Sequence, residues 1–221
     1  MGMSITMQEA WTTRGGLPVR IPDFIAEVVE RIAFEAREDK RIDKRSGVSQ
    51  RMPITVMENI VSNAERRSLV TGEKEIVPRI GDIYAALPAI TGKIELEYEG
   101  ELVGGHNIAR ELIRRAADGA FQERAGGVNA DEIIMWFDGG GALQVSDDVG
   151  SESVVSGFGT VPGLLELVDL TSLADANDYP VVAGACELVL ESLVARRKIS
   201  RSDTGLYSRS HDEKRRRPYQ D

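Results

Sequence analysis

The residues best placed to do chemistry are Lys44-Arg45-Ser46-Gly47-Val48-Ser49-Gln50-Arg51, a polar run leading straight into the apolar-periodic segment Met52 to Leu69. Ser49 has the side chain of a helix N-cap. A helix beginning after it accepts Pro53, because first-turn N–H groups have no intrahelical partner. Arg51 then falls in that first turn, where free N–H groups and the positive end of the helix dipole already favour an anion. A guanidinium added there suits a phosphate chain. Gly47, Ser49 and Arg51 are therefore the candidate binding residues, with Arg45 the next cation in reach of the same pocket. Two structural alternatives stand beside this reading: Arg51 paired with a local carboxylate such as Asp43, and Arg45 solvated in its loop. No G-x-x-x-x-G-K-[ST] occurs in the chain, so the loop that cradles a nucleotide's other phosphates is not part of it. Phosphoryl transfer depends on that positioning, so no catalytic residue is assigned and the chain alone is not expected to hydrolyse ATP.

The remaining reactive residue types form no second constellation. His106 has no Cys, Asp or Glu at metal-ligand spacing and reads as a surface histidine; His211 lies in a polar tail. Asp138, Asp147, Asp148 and Glu152 lack the ordered spacing of a calcium loop and read as a polar loop. Ser151, Ser153 and Ser156 have neither a histidine partner nor a nucleophile-elbow sequence. The Trp136-Phe137 pair reads as a core plug, and Cys186, on an apolar stripe, as a buried inert thiol. No metal site is assigned.

Helical elements must position these groups. Pro22 to Asp39 carries Ile25, Val28, Val29, Ile32, Ala33 and Ala36 on one stripe, and the next helix buries Ile54, Met57, Ile60, Val61, Ala64 and Leu69 before Gly72. A short third helix begins near Pro78, facing Ile80, Ile83, Tyr84 and Leu87 inward until Pro88 disturbs it. Lys93 to Glu101 alternates as a short strand or extended arm. A fourth helix runs from about Asn107 to Gln122. Beyond Ala125-Gly126-Gly127, Asn129 caps a short helix ended by Gly139-Gly140-Gly141, and Ala142 to Gly159 reads as a loop or small hairpin. Val161 to Leu173 and Tyr179 to Lys198 read as helices. After Ser200 the chain is charged and reads as disordered.

Gly47-Val48-Ser49-Gln50-Arg51, followed by an aliphatic helix, resembles the Gly-x-Ser-x-Arg sensor-2 motif of the MoxR-like and magnesium-chelatase-I-like AAA+ ATPases. Glu9-Ala10-Trp11 and Val19-Arg20-Ile21-Pro22-Asp23-Phe24 resemble the linker and first helix of that family's lid. Ile76-Val77-Pro78-Arg79-Ile80-Gly81-Asp82-Ile83 resembles the Val-Thr-Pro-x-Asp-Val start of its third lid helix. The resemblance is good over residues 8–90 and weaker to about 125. It implies a mainly α fold: a linker from an ATPase core over 1–21, an AAA+ lid-like helical bundle over 22–125, a small helical C-terminal region over 126–200, and a disordered basic tail over 201–221. The family's Walker A, Walker B, sensor 1 and arginine finger lie upstream of this region and none is present here. The resemblance further implies ATP and Mg in the complete ATPase, an upstream or separate AAA+ core, a ring-shaped homo-oligomer and a von Willebrand A-type partner. A helical adaptor without enzymatic activity is the alternative from a different class.

Composition narrows the field. The chain has 221 residues, 42% hydrophobic and 29% charged, which are ordinary values for one or two small domains. Aromatic residues make up 5%, so the core must rest on aliphatic side chains. A single cysteine forbids an internal disulfide framework and fits a reducing cytoplasm. No apolar run reaches membrane-spanning length. The net charge of -9 argues against wrapping of nucleic acid, and the one basic block, Lys214-Arg215-Arg216-Arg217, reads as a solvated terminus.

Overall fold

In a computed structural model describing residues 2–210, the chain is mainly helical. The elements run α1 (Gly2–Glu9), α2 (Asp23–Glu38), α3 (Arg51–Thr71), α4 (Ile80–Ala85), α5 (Leu87–Thr91), α6 (Tyr98–Val103) and α7 (Gly105–Ala125). They continue with α8 (Asp131–Asp138), β1 (Leu143–Gln144), α9 (Ser151–Phe158), α10 (Leu164–Leu170), α11 (Tyr179–Ala195), β2 (Ile199–Arg201) and β3 (Leu206–Arg209). The three strands form one antiparallel sheet in the order β1-β3-β2.

The long helix α7 packs most extensively against α2 and α11, while α3 lies against α2, α4 and α5. The α2 stripe is buried at every position that the periodicity marks, from Ile25 to Ala36. On α3 the stripe is shifted. Met52, Val56, Met57, Ile60, Val61 and Ala64 are buried, Ile54 is half-buried, and Leu69 is 70% exposed. At 3.6 residues per turn, Arg67 continues the Ile60–Ala64 row and Leu69 falls off it, so the helix buries a charge where an aliphatic residue was expected. Gly72 takes a left-handed φ of 73° and ends α3, as its type predicts.

Pro88 opens a helix where an interruption was expected. It sits in the first turn of α5, where its missing N–H costs nothing, and so the single predicted third helix is two. The predicted arm is real but short: Leu96 bridges Ile42, with Asp43 N–H donating to Glu95 O and Glu97 N–H to Arg41 O, both at 2.9 Å. The chain then turns into α6. The region 142–159 holds β1 and a helix: Val154, Val155 and Phe158, at helical spacing, anchor α9 in the core.

The expected disorder from residue 201 is corrected up to residue 210. Alternation places Tyr207 inward and Leu206 outward, and Ile199 and Tyr207 join the core as the β2–β3 hairpin. His211 and the basic block Lys214 to Arg217 lie outside the described residues. The boundary expected at 126 has no counterpart in the packing, because buried apolar residues from both sides form one cluster and α11 lies along α7. Among the described residues, no helix is long and apolar enough to cross a membrane.

Candidate functional site

The loop before α3 is built on a left-handed residue. Gly47 has φ 65°, and its neighbour Val48 is tied to α2 because Arg37 Nε donates to Val48 O at 3.0 Å. Ser49, the expected N-cap, stands one position before the observed one: Gln50 flanks the first helical residue, Arg51. The Ser49 hydroxyl nevertheless accepts the Arg51 backbone N–H at 3.3 Å, and its carbonyl accepts Met52 N–H at 3.0 Å. Gln50 turns inward, its amide reaching Thr6 Oγ1 at 3.1 Å and Glu30 Oε1 at 3.2 Å, so α1 and α2 brace the loop.

Arg51 is exposed, and among the described residues its guanidinium has no hydrogen-bond or ion-pair partner. Asp43, the carboxylate that could have claimed it, is taken by Arg45. The Arg45 backbone N–H lies 2.7 Å from Asp43 Oδ1 and its guanidinium 3.2 Å from Oδ2. That pairing holds the Asp43 carboxyl below its ordinary range. Arg45 is otherwise solvated, with its side chain 86% exposed. The four predicted residues do not ring one cavity. A cavity of about 280 Å³ beside the loop is lined by Gly47 together with Ala36, Arg37, Ile42, Asp43, Lys44 and Val48, and Arg45, Ser49 and Arg51 stay outside it.

At the far end of α3 the situation reverses. Arg67 is 1% exposed and reaches Glu73 Oε2 at 3.1 Å, Asp82 Oδ2 at 3.0 Å and Val77 O at 2.7 Å. Asp82 also accepts the Arg79 backbone N–H and the Asn63 amide, each at 2.7 Å, which caps α4. Burial favours a neutral Arg67, but Asp82 and Glu73 outweigh it and hold the guanidinium charged.

Two carboxylates of α11 complete the network. Glu187 Oε2 accepts Gly81 N–H at 2.6 Å, and its Oε1 lies 3.6 Å from Arg79 Nε. Burial pushes the Glu187 carboxyl up, against the pull of Arg79. Glu191, fully buried, accepts Tyr84 at 2.8 Å and Tyr207 at 2.7 Å. Arg201 Nε is 3.1 Å from Glu191 Oε1 but off the line of its N–H, so the contact is ionic without a formed hydrogen bond. The Arg201 guanidinium lies 4.0 Å over the Tyr84 ring. Burial, then Glu191, pushes both phenols up.

These residues escaped the sequence reading although a signal existed. Glu187 and Glu191 sit four apart within a strongly apolar helix, and Arg67 occupies an apolar-stripe position; buried charges of that kind need partners. Elsewhere the structure places the minor candidates simply. Cys186 is buried, and burial pushes its thiol up; His106 is exposed. Asp147 pairs with Arg66 at 3.2 Å and Asp148 accepts Ser146. Phe137 is buried and Trp136 packs edge-on against it at 4.9 Å. Among the described residues, no group of three or more His, Cys, Asp or Glu side chains is arranged to hold a metal.

Comparison with family models, curated proteins and solved structures returned no match for this chain.

Proposed function

We propose that this chain is the lid and C-terminal region of a MoxR-like or magnesium-chelatase-like AAA+ ATPase, in which Arg51 senses the phosphates of ATP bound to an upstream or separate core. The observation that carries the proposal is the state of Arg51: exposed, without a partner among the described residues, and held at the start of a 21-residue helix by a left-handed glycine turn. A guanidinium left unpaired at the positive end of a helix dipole is complementary to phosphate. The core would supply the Mg-binding and hydrolytic residues. The ring homo-oligomer and the von Willebrand A-type partner belong to the same proposal.

The rest of α3 suits the transmission of that signal. From Arg51 the helix runs roughly 24 Å to Arg67 at 1.5 Å per residue. There Arg67 is bonded to Asp82 of α4, whose neighbour Gly81 is bonded to Glu187 of α11. A pull on Arg51 would therefore move α3, α4 and α11 as one body.

The test is ATP turnover by the protein extended upstream to include its core, with and without Arg51→Ala. A charge-assisted contact of about 1.5–3 kcal/mol predicts a loss of roughly 10- to 150-fold. Unchanged turnover would refute the sensor role and favour the helical adaptor.

A further inference from the structure

A cavity of about 380 Å³ opens between α4, α11 and the β2–β3 hairpin, a volume within the range of small-molecule sites. Its wall includes Glu187 of α11 and Arg201 of β2, whose side chains are 2% and 9% exposed. Each keeps a buried polar atom without a hydrogen bond: Glu187 Oε1 and Arg201 Nε. Buried polar atoms in that state are uncommon and costly in a folded protein. Arg79 Nε answers Glu187 Oε1 only from 3.6 Å. The Arg201 guanidinium has five N–H donors. Beside its ionic contact with Glu191 it makes one hydrogen bond among the described residues, from Nη1 to Ser202 O at 3.4 Å. The other charges on the wall have partners: Arg110 pairs with Asp203, and Asp147 Oδ2 with Arg66. Gly81 adds an independent sign. A β-carbon built on it would stand 3.5 Å from Glu187 Oε2 and 3.7 Å from Asp147 Oδ1, which are ordinary contact distances. Alanine would fit there and would favour the helix; glycine instead keeps open the space between two carboxylates.

We propose that this cavity binds a small zwitterion of the α-amino acid class. The ammonium group lies over Gly81 and donates to Glu187 and Asp147, while the carboxylate accepts from the remaining N–H groups of Arg201. Arg201 sits against Glu191, four residues along α11 from Glu187, so the acidic and basic poles of the wall stand about one helical turn apart, roughly 5–6 Å. An α-amino acid with a hydrogen bond of about 2.8 Å at each end spans such a gap. A simple anion would leave Glu187 unanswered, and a simple cation would leave Arg201 so. The inference stands apart from the role assigned to Arg51.

The test is calorimetric titration of the full chain with each standard α-amino acid in turn. The tightest binder is then compared with its N-acetyl derivative, which has no ammonium, and its methyl ester, which has no carboxylate. Gly81→Ala is titrated beside the native protein; it fills the space over Gly81 and removes no charge, so the unfolding midpoint should not fall. The expected result is saturable binding of at least one amino acid, weakened at least about 10-fold by either derivative and by Gly81→Ala. Arg51→Ala should leave it unchanged, which separates this site from the sensor role. Absence of saturable binding overturns the proposal. So does equal binding of the N-acetyl derivative or of the ester, because one pole is then not recognised. Unchanged binding by folded Gly81→Ala places the ligand elsewhere and equally overturns it. Were Gly81→Ala to misfold, the two derivatives on the native protein would decide alone.

Discussion

The two ends of α3 carry the same functional group in opposite circumstances. Arg67 is sealed from water and engaged by two carboxylates and a carbonyl; Arg51 is solvated and engaged by no described residue. Burying a guanidinium without partners would cost several kcal/mol, so Arg67 exists in the fold only because Glu73, Asp82 and Val77 O surround it. No such demand acts on Arg51, and its donors remain available to a ligand. One arginine is part of the architecture, and the other is a group that the architecture presents.

That contrast predicts a ranked set of stability effects. Arg67→Met should be the most damaging, because it deprives the Asp82 and Glu73 carboxylates of the cation both contact. A loss of about 3–5 kcal/mol is expected in urea unfolding. A loss below 1 kcal/mol would remove Arg67 from the architectural side.

Asp39 tests the next level. Arg41 binds its two oxygens at 2.9 and 2.7 Å and Arg115 adds a bond at 2.7 Å, which holds the carboxyl far below its ordinary range. A depressed folded-state pKa stabilises the protein above the unfolded value, near 3.9, and the contribution disappears as pH falls below it. Asp39→Asn should therefore cost about 2 kcal/mol at pH 7, and the gap to the native protein should close on acidification below pH of about 4. A gap that stays constant with pH would mean the loss is not electrostatic.

Gly47→Ala should cost about 1–2 kcal/mol, the usual strain of a side chain in the left-handed region, with no atom nearby to clash. Arg45→Ala, which removes a solvated guanidinium while the Arg45 backbone N–H still serves Asp43, should leave the unfolding midpoint where it is. A clear downward shift would show that the loop depends on that pair.

Much of the fold could be read from the chain because aliphatic stripes dictate it. Ile25 to Ala36 on α2 and Ile108 to Ala116 on α7 are buried as their spacing requires. The misreadings occur where tertiary partners override local pattern. Leu69 is exposed and Arg67 buried because Asp82, fifteen residues away in sequence, supplies the charge that makes burial possible. The β2–β3 hairpin hides in a polar segment because its folding rests on two inward residues, Ile199 and Tyr207, and on the Glu191 carboxylate contributed by α11. The candidate site was legible in part. Gly47 turns the loop and Arg51 opens α3 as the helix-start reading expects, the Ser49 hydroxyl serves the helix from one position further out, and Arg45 is drawn off by Asp43, a pairing that spacing alone could not decide.

The most direct measurement is steady-state ATP turnover of the upstream-extended protein, native and Arg51→Ala, recorded beside the unfolding midpoint of each. The account predicts turnover reduced roughly 10- to 150-fold by Arg51→Ala with an unchanged midpoint. Equal turnover in the two proteins, or none in either, would contradict it.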